Sequence, residues 1–548
     1  MQESRYASAA PVTLAAGWSL ERVTRPSRLY GANGLRTGPD GRIYVAQVAG
    51  SQISALDVST GDLSTISEQG ADIVAPDDLA FDASGSLFAT EYYDGRVSVR
   101  SPDGRTTVLR DDVPGANGIT FHHGRLFIDE CRIGGRLLEL DLAGGPPRVL
   151  VDNLPLPNAM EFGPDGKLYY PVLGTNDIWR IDPDAASPEP ERVVGDLGVP
   201  DAVKFDAAGF IVSTQVGTGE VLRIDPRSGA RTVLATIAPG LDNLTFVGDR
   251  LFVSSFTGQI TEILGGGMTR SVLPSGLTWP LDLTVDDAGT LYVCDGTYFY
   301  AAPPGGNPNE PRDLQVLGML FSPGWPGYLR GVTANGNDGN GNAEFTVTTS
   351  NGQIATWRPA AGEHDILAGA TEPFDQLYGV AVAPDGTVTA AELGTGRVVA
   401  VRNGQVTTLA HGLDQPMGIA FTPDGTCLVS ESGTGRVLSV SHAGTGTDTV
   451  ADGLETPQGI LVRNGKLLIV DAGAKSLTEI DLDTKARTTI AEGLPVGNPA
   501  GTQPRPLKGL PPFTGPQGLF AGIAAGPDGT IYVSGDAEGS VLALRRES

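Results

Sequence analysis

The chain has 548 residues, a hydrophobic content of 40% and a net charge of −26, which predicts more than one folded domain. Such an acidic chain lacks the basic face that phosphate binding needs, so nucleic acid is excluded as a partner. No window approaches the roughly 18 apolar residues of a membrane-spanning helix, so no membrane partner is expected. The N-terminus shows no basic segment followed by an apolar run, which predicts a cytoplasmic protein, although a leader removed beforehand would leave no trace.

Turn-forming residues are abundant and evenly spread. The chain has 75 Gly and 40 Pro, and many lie in recurring turns of the types PDG, ASG and GTG. This pattern is typical of an all-β protein with many tight turns. The three cysteines, Cys131, Cys294 and Cys427, lie far apart in strand-like runs. We expect them to be reduced and buried, which favours a reducing compartment.

A unit of about 40 residues recurs along the chain, as in repeat proteins. Each unit reads as a strand, a PDG-type turn, a second strand ending in a polar residue, a GTGR-type turn and two further strands; NGLRTGPDGRIYVAQ from Asn33 and MGIAFTPDGTCLVSE from Met417 are examples. Four-stranded units of this length are typical of propeller blades. The residue just before the first strand of each unit falls at Asn33, Asp77, Asn117, Asn158, Asp201, Asp242, Leu281, Arg330, Tyr378, Met417, Gln458 and Ala521.

Twelve blades exceed the four to eight that usually close a ring, so the sequence predicts an all-β fold of two tandem six-bladed β-propellers. The run Gly265–Gly267 follows the sixth unit and divides the chain into residues 1–264, expected to be catalytic, and residues 265–548, expected to be structural or partner-binding. Two strand-like segments lie outside the units. We expect Trp18–Arg25 to complete blade six and Thr269–Pro274 to complete blade twelve, so that neither ring keeps an open edge.

Two Pro- and Gly-rich stretches interrupt the pattern, at residues 301–327 and 494–516. Both precede the first strand of a unit, so we expect them on the face of the propeller where these strands begin. As loops on that face they are interpreted as lids or as simple connections.

The first strand of each blade begins at the mouth of the central channel, so the residues at that position converge. In the first half all six are Asn or Asp, whereas in the second half they are Leu281, Arg330, Tyr378, Met417, Gln458 and Ala521. Asn and Asp also serve turns, but that explanation would apply equally to both halves. We therefore predict a functional ring of oxygen ligands that suits one hard divalent cation, with Ca²⁺ expected and Mg²⁺ or Zn²⁺ as alternatives.

Further charged side chains fall near this ring. Glu91 and Glu130 end the second strands of their blades and are candidates for substrate binding or proton transfer, although acidic residues at the same position in the second half favour a structural role equally. Arg36, Glu161 and Lys204 lie three residues further along the first strands. Buried charges are costly unless they are paired or functional, so these three either contact the substrate or neutralise the acidic ring.

Other catalytic schemes find little support in the sequence. The chain has only five histidines, and no GxSxG, HExxH or P-loop pattern occurs in its required context. Carboxylates with a metal are therefore the expected chemistry.

Around the ring the sequence resembles the gluconolactonase/regucalcin family, which includes senescence marker protein. The resemblance rests on NGL at Asn33, NGI at Asn117, PNAMEFGPDG at Asn158 and PDAVKFDAAG at Asp201. It covers residues 18–264, and the second half only as a fold. The family shares its six-bladed propeller with NHL-repeat proteins, paraoxonases and strictosidine synthases. Its members typically hold one divalent metal on the propeller axis through a Glu, an Asn and an Asp.

The resemblance implies that Asn158 and Asp201 are metal ligands and that Asn117 belongs to the substrate pocket. The Glu expected from the first blade has no counterpart, because Asn33 occupies that position, and Asn33 is taken as a further ligand. Asp201 is the expected general base, with Asp242 or Asp77 as substitutes.

Three functions are consistent with these residues. The first is a metal-dependent hydrolase of a lactone or another ester, in which the metal polarises the carbonyl of a small-molecule substrate. The second keeps the site but makes the enzyme a lyase, cyclase or isomerase. The third is a propeller that binds a ligand without catalysis. Fold alone does not decide among them, and the sequence sets neither the substrate nor the oligomeric state.

Overall fold

A computed structural model describes residues 4–6, 11–305, 310–441, 446–499, 501–511 and 514–547. These residues form 49 strands and two 3₁₀ turns, Leu173–Thr175 and Pro359–Ala361. The strands make twelve antiparallel sheets. In the described part of the chain, no helix has the length and apolar character needed to cross a membrane. The predicted all-β fold of two six-bladed propellers is confirmed.

The first propeller contains six sheets of four strands that are consecutive in sequence. Two short strands precede it, β1 (Thr13–Leu14) and β2 (Trp18–Arg22). Blades one to three comprise β3–β14: Leu35–Thr37, Ile43–Gln47, Gln52–Leu56, Leu63–Ser67, Pro76–Phe81, Leu87–Glu91, Arg96–Arg100, Thr106–Arg110, Ala116–His122, Arg125–Glu130, Ile133–Leu140 and Arg148–Pro155. Blades four to six comprise β15–β26: Glu161–Phe162, Leu168–Val172, Asp177–Ile181, Glu191–Val194, Pro200–Phe205, Ile211–Gln215, Glu220–Ile224, Arg231–Thr236, Leu241–Val247, Arg250–Ser255, Ile260–Gly265 and Met268–Leu273.

The second propeller repeats the arrangement. Blades seven to nine comprise β27–β38: Leu283–Val285, Leu291–Asp295, Tyr298–Ala302, Gln315–Met319, Leu329–Asn337, Ala343–Thr349, Ile354–Arg358, Glu363–Ala368, Leu377–Val382, Val388–Glu392, Arg397–Arg402 and Gln405–His411. Blades ten to twelve comprise β39–β49: Pro416–Phe421, Cys427–Glu431, Arg436–Val440, Thr447–Ala451, Pro457–Arg463, Lys466–Asp471, Ser476–Asp481, Arg487–Glu492, Ile523–Ala525, Ile531–Gly535 and Ser540–Arg546.

Local sequence explains the individual blades. In blade one a PDG turn joins β3 to β4 with the register Leu35↔Val45, and Gly41 takes the positive φ of 77° that this turn requires. Apolar residues alternate along the strands and meet between neighbouring blades; Phe127 of blade three packs with Met160 and Tyr170 of blade four. The three cysteines are free and buried, as expected; Cys294 and Cys427 lie in strands, whereas Cys131 directly follows β12.

The closure of the rings differs from the expectation. Strand β2 pairs with β49, with Leu20 opposite Leu544, so the segment expected in blade six completes blade twelve. Strand β26 pairs with β25, so the segment expected in blade twelve completes blade six. The expectation failed because each segment was given to the ring of its own half, whereas the second ring takes its last strand from more than 500 residues away.

The division of the chain also departs from the expected boundary at residues 264 and 265. The first compact unit consists of Arg28–Gly276 together with Gln503–Leu510, and the second contains the described residues up to Ser27, Leu277–Thr502 and the chain from Pro511 onward. About a third of the 494–516 stretch is thus a segment of the first unit, here called the strap (Gln503–Leu510). The 301–327 stretch is not one loop, because it contains the fourth strand of blade seven, β30.

Candidate active site on the axis of the first propeller

The axial ring comprises the six residues at the mouth of the first channel: Asn33, Asp77, Asn117, Asn158, Asp201 and Asp242. The ladder between the first two strands breaks at this level in both propellers: in blade two Pro76 pairs with Glu91, and the next pair is Leu79 with Ala89. Similar shifts occur in blades three, five and six. Such bulges redirect side chains out of the ladder. Since the second propeller has them too, only the side chains distinguish the two rings.

The ring residues contact one another across blades. The amide Nδ2 of Asn33 donates to Oδ2 of Asp242 at 3.0 Å, and Nδ2 of Asn158 donates to Oδ1 of Asp201 at 3.0 Å. Five of the six are buried, and Asn33 is half-buried. The side chains predicted to converge are therefore brought together by the structure.

The three carboxyl groups of the ring share an unfavourable environment. Burial raises the pKa of Asp77 well above its usual value, and the negative charge of Asp242 raises it further. Burial likewise raises the pKa of Asp201, with Asp77 as the next cause, and that of Asp242, with Asp201 as the next cause. Among the described residues, none of the three forms an ion pair. The ring therefore holds more negative charge than its surroundings balance.

Two other groups at the ring bear on ligand binding. Oδ1 of Asn117 is buried and has no hydrogen-bond partner in the described structure, which is costly for a polar atom. The thiol of Cys131 lies 3.9 Å from Nδ2 of Asn158. Burial raises the pKa of this thiol, and the carboxylate of Asp129 raises it further, so it is a neutral neighbour of the ring rather than a thiolate.

The donor set suits a hard cation only if the amides take part. In the described residues, no three His, Cys, Asp or Glu side chains are clustered closely enough to hold a metal by themselves. Carboxamide and carboxylate oxygens together form the ligand class that Ca²⁺ and Mg²⁺ prefer. Asn158, Asp201 and Asn33 are the residues that could hold such an ion, and the unpartnered oxygen of Asn117 fits the same chemistry.

Below the ring, the charged residues predicted as substrate contacts bind one another. Arg36 donates to Oε2 of Glu161 at 3.0 Å and to the carbonyls of Leu79 and Ile119, and Nζ of Lys204 lies 3.1 Å from the same carboxylate. Although burial opposes it, the charges of Lys204 and Arg36 lower the pKa of Glu161 to about 2. The structure thus favours mutual neutralisation over substrate contact for these three residues.

Glu91 and Glu130 are also engaged within their own blades. Glu91 is fully buried, accepts a 2.7 Å bond from the amide of Val74 and pairs with Arg96. Glu130 is equally buried and pairs with Arg132 and Arg136. Their contacts correspond to the structural alternative, in which the carboxylate fastens the adjoining turn.

Sequence reasoning missed two acidic residues close to the ring. Asp78 accepts bonds from the amides of Leu79 and Ile119 and fastens blade two to blade three. Asp129 is fully buried, accepts a bond from the amide of Gly118, and burial raises its pKa well above the usual value.

The position of Asp129 carries hydroxyl groups in other blades. There the side chain donates to the carbonyl of the ring residue in the next blade: Thr90 to Asn117, Thr214 to Asp242 and Ser254 to Asn33. Asp129 occupies this position without making that bond, because its Oδ2 is buried and has no hydrogen-bond partner in the described structure. The three hydroxyl residues are the sequence signal that would have revealed Asp129.

The mouth of the second channel has a different chemistry. Arg330 is buried, donates to the carbonyls of Pro516 and Gly518, and lies over the rings of Trp279 and Tyr378. Its guanidinium is held by carbonyl oxygens and aromatic faces, as expected for a ring position without oxygen ligands.

Comparisons with known proteins agree with the resemblance. Residues 20–257 match the family described as SMP-30/gluconolactonase/LRE-like region, so the resemblance inferred from the blade motifs is confirmed over this region. No curated protein shows significant similarity to the chain.

Solved structures similar to the chain include a streptogramin B lyase, with 19% identity and a TM-score of 0.38, covering 50% of this chain and 94% of that one. A gluconolactonase from Xanthomonas campestris shows 16% identity and a TM-score of 0.38, covering 46% and 94%. Virginiamycin B lyase from Staphylococcus aureus shows 16% identity and a TM-score of 0.37, covering 51% and 97%.

Proposed function

We propose that the first propeller, whose residues 20–257 match the SMP-30/gluconolactonase/LRE-like region, is a metal-dependent hydrolase of a lactone or another ester. The observation that carries the proposal is the axial ring. Three buried carboxyl groups with raised pKa values meet three carboxamides there, and none of the three forms an ion pair within the described residues. A divalent cation would balance this charge and use these oxygens.

Each ring residue has a role in this proposal. Asn158, Asp201 and Asn33 hold the cation, which when bound supplies Lewis-acid polarisation of the substrate carbonyl. Asn158 and Asn33 also orient the carboxyl groups of Asp201 and Asp242 through their 3.0 Å bonds.

Proton transfer falls to the paired carboxyl groups. Asp201 raises the pKa of Asp242 through its charge and a shared hydrogen bond, whereas the same bond lowers the pKa of Asp201 against the effect of burial. One member of this pair is the base that accepts a proton from water. Asp77, on the opposite side of the ring, is the alternative base. The free Oδ1 of Asn117 is placed to accept a hydrogen bond from water or substrate.

The residues below the ring close the site. Arg36 crosses the channel from blade one to the carbonyls of blades two and three, and its ion pair with Glu161 reaches blade four. Lys204 adds blade five through the same carboxylate. These three charged side chains, two cations around one carboxylate, form a floor beneath the ring, so substrate approaches from the mouth.

The test combines metal analysis with turnover. Purified protein is incubated with Ca²⁺, Mg²⁺ or Zn²⁺, its metal content is measured by mass spectrometry, and hydrolysis of lactones and esters is followed. Asp201→Asn should fold, bind metal weakly and turn over at least about a hundredfold more slowly, since loss of a base typically costs 10²–10⁴ in rate. Asn158→Ala should be partly rescued by excess metal. Asp249→Asn, at an exposed turn of blade six, is the charge-matched control and should behave as wild type.

The product distinguishes the alternatives. In H₂¹⁸O, hydrolysis adds one labelled oxygen, whereas a lyase, cyclase or isomerase gives a product without added water. Full metal content and full activity in Asp201→Asn would show that the ring serves only the turns.

A further inference from the structure

A second set of six side chains surrounds the axial ring. It consists of the residue that directly follows the second strand of each blade, here called the collar: Val48, Tyr92, Cys131, Leu173, Val216 and Phe256. All six side chains are apolar, aromatic or thiol. At the same position the second propeller has Gly296, Ser350, Leu393, Ser432, Ala472 and Asp536, so the repeat itself does not require an apolar residue there.

The backbone fixes the collar beside the ring. In blades two to six the collar amide donates to the carbonyl of the residue two places before the ring residue, as from Leu173 to Leu156 at 2.9 Å and from Phe256 to Gly240 at 3.0 Å. This repeated bond holds each collar residue against the start of the innermost strand. The collar residues therefore lie beside the ring; Val48 and Phe256 are half-buried, whereas Tyr92, Cys131, Leu173 and Val216 are buried, Val216 completely.

Side-chain alternation directs the collar towards neighbouring blades. Successive strand residues point to opposite faces, and Thr90, two residues before Tyr92, reaches the next blade at Asn117. Tyr92 follows the same direction, since its hydroxyl donates to the carbonyl of Cys131 at 3.1 Å. The thiol of Cys131 in turn lies 3.9 Å from Nδ2 of Asn158 in the ring.

The strap adds a further apolar side chain to this mouth. A methyl group placed on Gly115 would lie 3.1 Å from Cδ2 of Leu510 and 3.3 Å from the carbonyl oxygen of Cys131. The strap is held to blade two by the ion pair of Lys508 with Asp94 at 3.2 Å. Leu507, which precedes Lys508 in the strap, is buried.

We infer that the collar and Leu510 bind an alkyl or aryl group of the substrate, so that the site takes a lactone or ester with an apolar chain rather than a polyhydroxylated sugar lactone. This inference rests on the hydrolase proposed above. A sugar lactone brings several hydroxyl groups that need partners, and the one collar hydroxyl, that of Tyr92, already donates to Cys131. Hydroxyls left unpaired in a dry pocket oppose binding, whereas each methylene buried against the collar favours it.

The experiment compares γ-lactones with alkyl chains of increasing length against glucono-δ-lactone. Wild-type kcat/KM should rise roughly threefold for each added methylene until the chain leaves the mouth, and glucono-δ-lactone should be the poorest substrate. Leu173→Ser and Phe256→Ser should flatten this dependence, so that kcat/KM no longer rises with chain length. Phe256→Leu should keep the dependence. Leu393→Ser, at the collar position of blade nine, is the matched control and should keep it fully.

A binding measurement separates failure of this inference from failure of the proposed function. The probes are 3-alkylcyclopentanones, which have the lactone's shape but no ester bond, titrated by calorimetry. Affinity that rises with chain length in wild type and not in Phe256→Ser supports the collar even if no lactone is hydrolysed. Equal affinity for all chain lengths, or faster turnover of glucono-δ-lactone than of alkyl lactones, overturns the inference and leaves the hydrolase proposal intact.

Discussion

The pairing of β2 with β49 makes the second propeller depend on the N-terminus of the chain. Deleting residues 1–25 removes β2, which exposes one edge of blade twelve, and also β1, which pairs with β46 at the edge of blade eleven. Trp18 and Leu20 then no longer pack on the core of blades eleven and twelve, which includes Leu542 and Leu544. Arg22 also leaves the carboxylate of Glu538, to which it donates bonds of 2.7 and 3.1 Å.

The expected loss follows from these contacts. Trp18 and Leu20 contribute about 2–3 kcal/mol together, since full burial of one such side chain is worth roughly 1.5–3 kcal/mol. The half-exposed ion pair adds up to about 1 kcal/mol. The deletion also removes Val12, Leu14 and the buried Val23 from the second unit. The least loss expected is therefore about 3–4 kcal/mol, which lowers the melting temperature of a domain of this size by at least roughly 6 °C. The first propeller contains none of these residues, so its stability should not change.

Scanning calorimetry together with hydrogen exchange resolved by peptide measures both effects. The deletion should lower one transition and increase exchange in β47–β49, while the peptides of blades one to six exchange as before. The control is a circular permutant in which residues 17–25 follow residue 547 through a short turn. Because Trp18 lies opposite Arg546, this hairpin should restore the lost transition. A deletion variant that leaves both transitions in place, or that destabilises blades one to six, would refute the assignment of β2.

Two further variants test the first propeller. Asp129→Thr replaces a carboxyl group of raised pKa by the hydroxyl found in other blades. Because only the unfolded chain ionises Asp129 readily, the stability of the variant relative to wild type should rise above pH 4 by up to about 1.4 kcal/mol per pH unit. Equal denaturant midpoints for the two proteins from pH 4 to 8 would contradict this. Glu161→Gln leaves Arg36 and Lys204 without their shared carboxylate and should lower the free energy of unfolding by about 2–3 kcal/mol at pH 7. Since the pKa of Glu161 is lowered to about 2, the stabilisation by its carboxylate is present above about pH 4.5 and disappears as the pH falls towards 2. Urea titrations of both proteins at pH 7 and near pH 2 measure this difference.

The blades could be predicted because their information is local. Alternating strands and PDG-type turns lie within about 40 residues of one another, and the repeat aligns equivalent positions, so the axial ring was found by comparison of the two halves. The strand that closes each ring could not be predicted in the same way. Both spare segments have the composition of an outer strand, and the choice between them depends on pairing between residues such as Leu20 and Leu544.

The pairing of the charged side chains inside the first channel also depends on contacts between distant parts of the chain. The sequence places Arg36, Glu161 and Lys204 at one level of the channel, but only the packed ring shows that one carboxylate receives both cations. Asp129 escaped notice because the run LFIDE reads as an ordinary strand with a polar end. Its state depends on burial, which raises the pKa of the carboxyl group well above the usual value.

The strands that close the two rings come from different parts of the chain, and this affects the order of folding. All strands of the first propeller lie between Leu35 and Leu273, so its six sheets can form as soon as that part of the chain exists. The strap, which supplies Leu510, comes from residues 503–510, and it joins a ring that is already closed. The second propeller, in contrast, needs β2 from the start of the chain and β49 from the end. Its last pairing has the greatest sequence separation and therefore the highest loop-closure cost. Attachment of the strap and closure of the second ring are thus both expected to follow formation of the first ring.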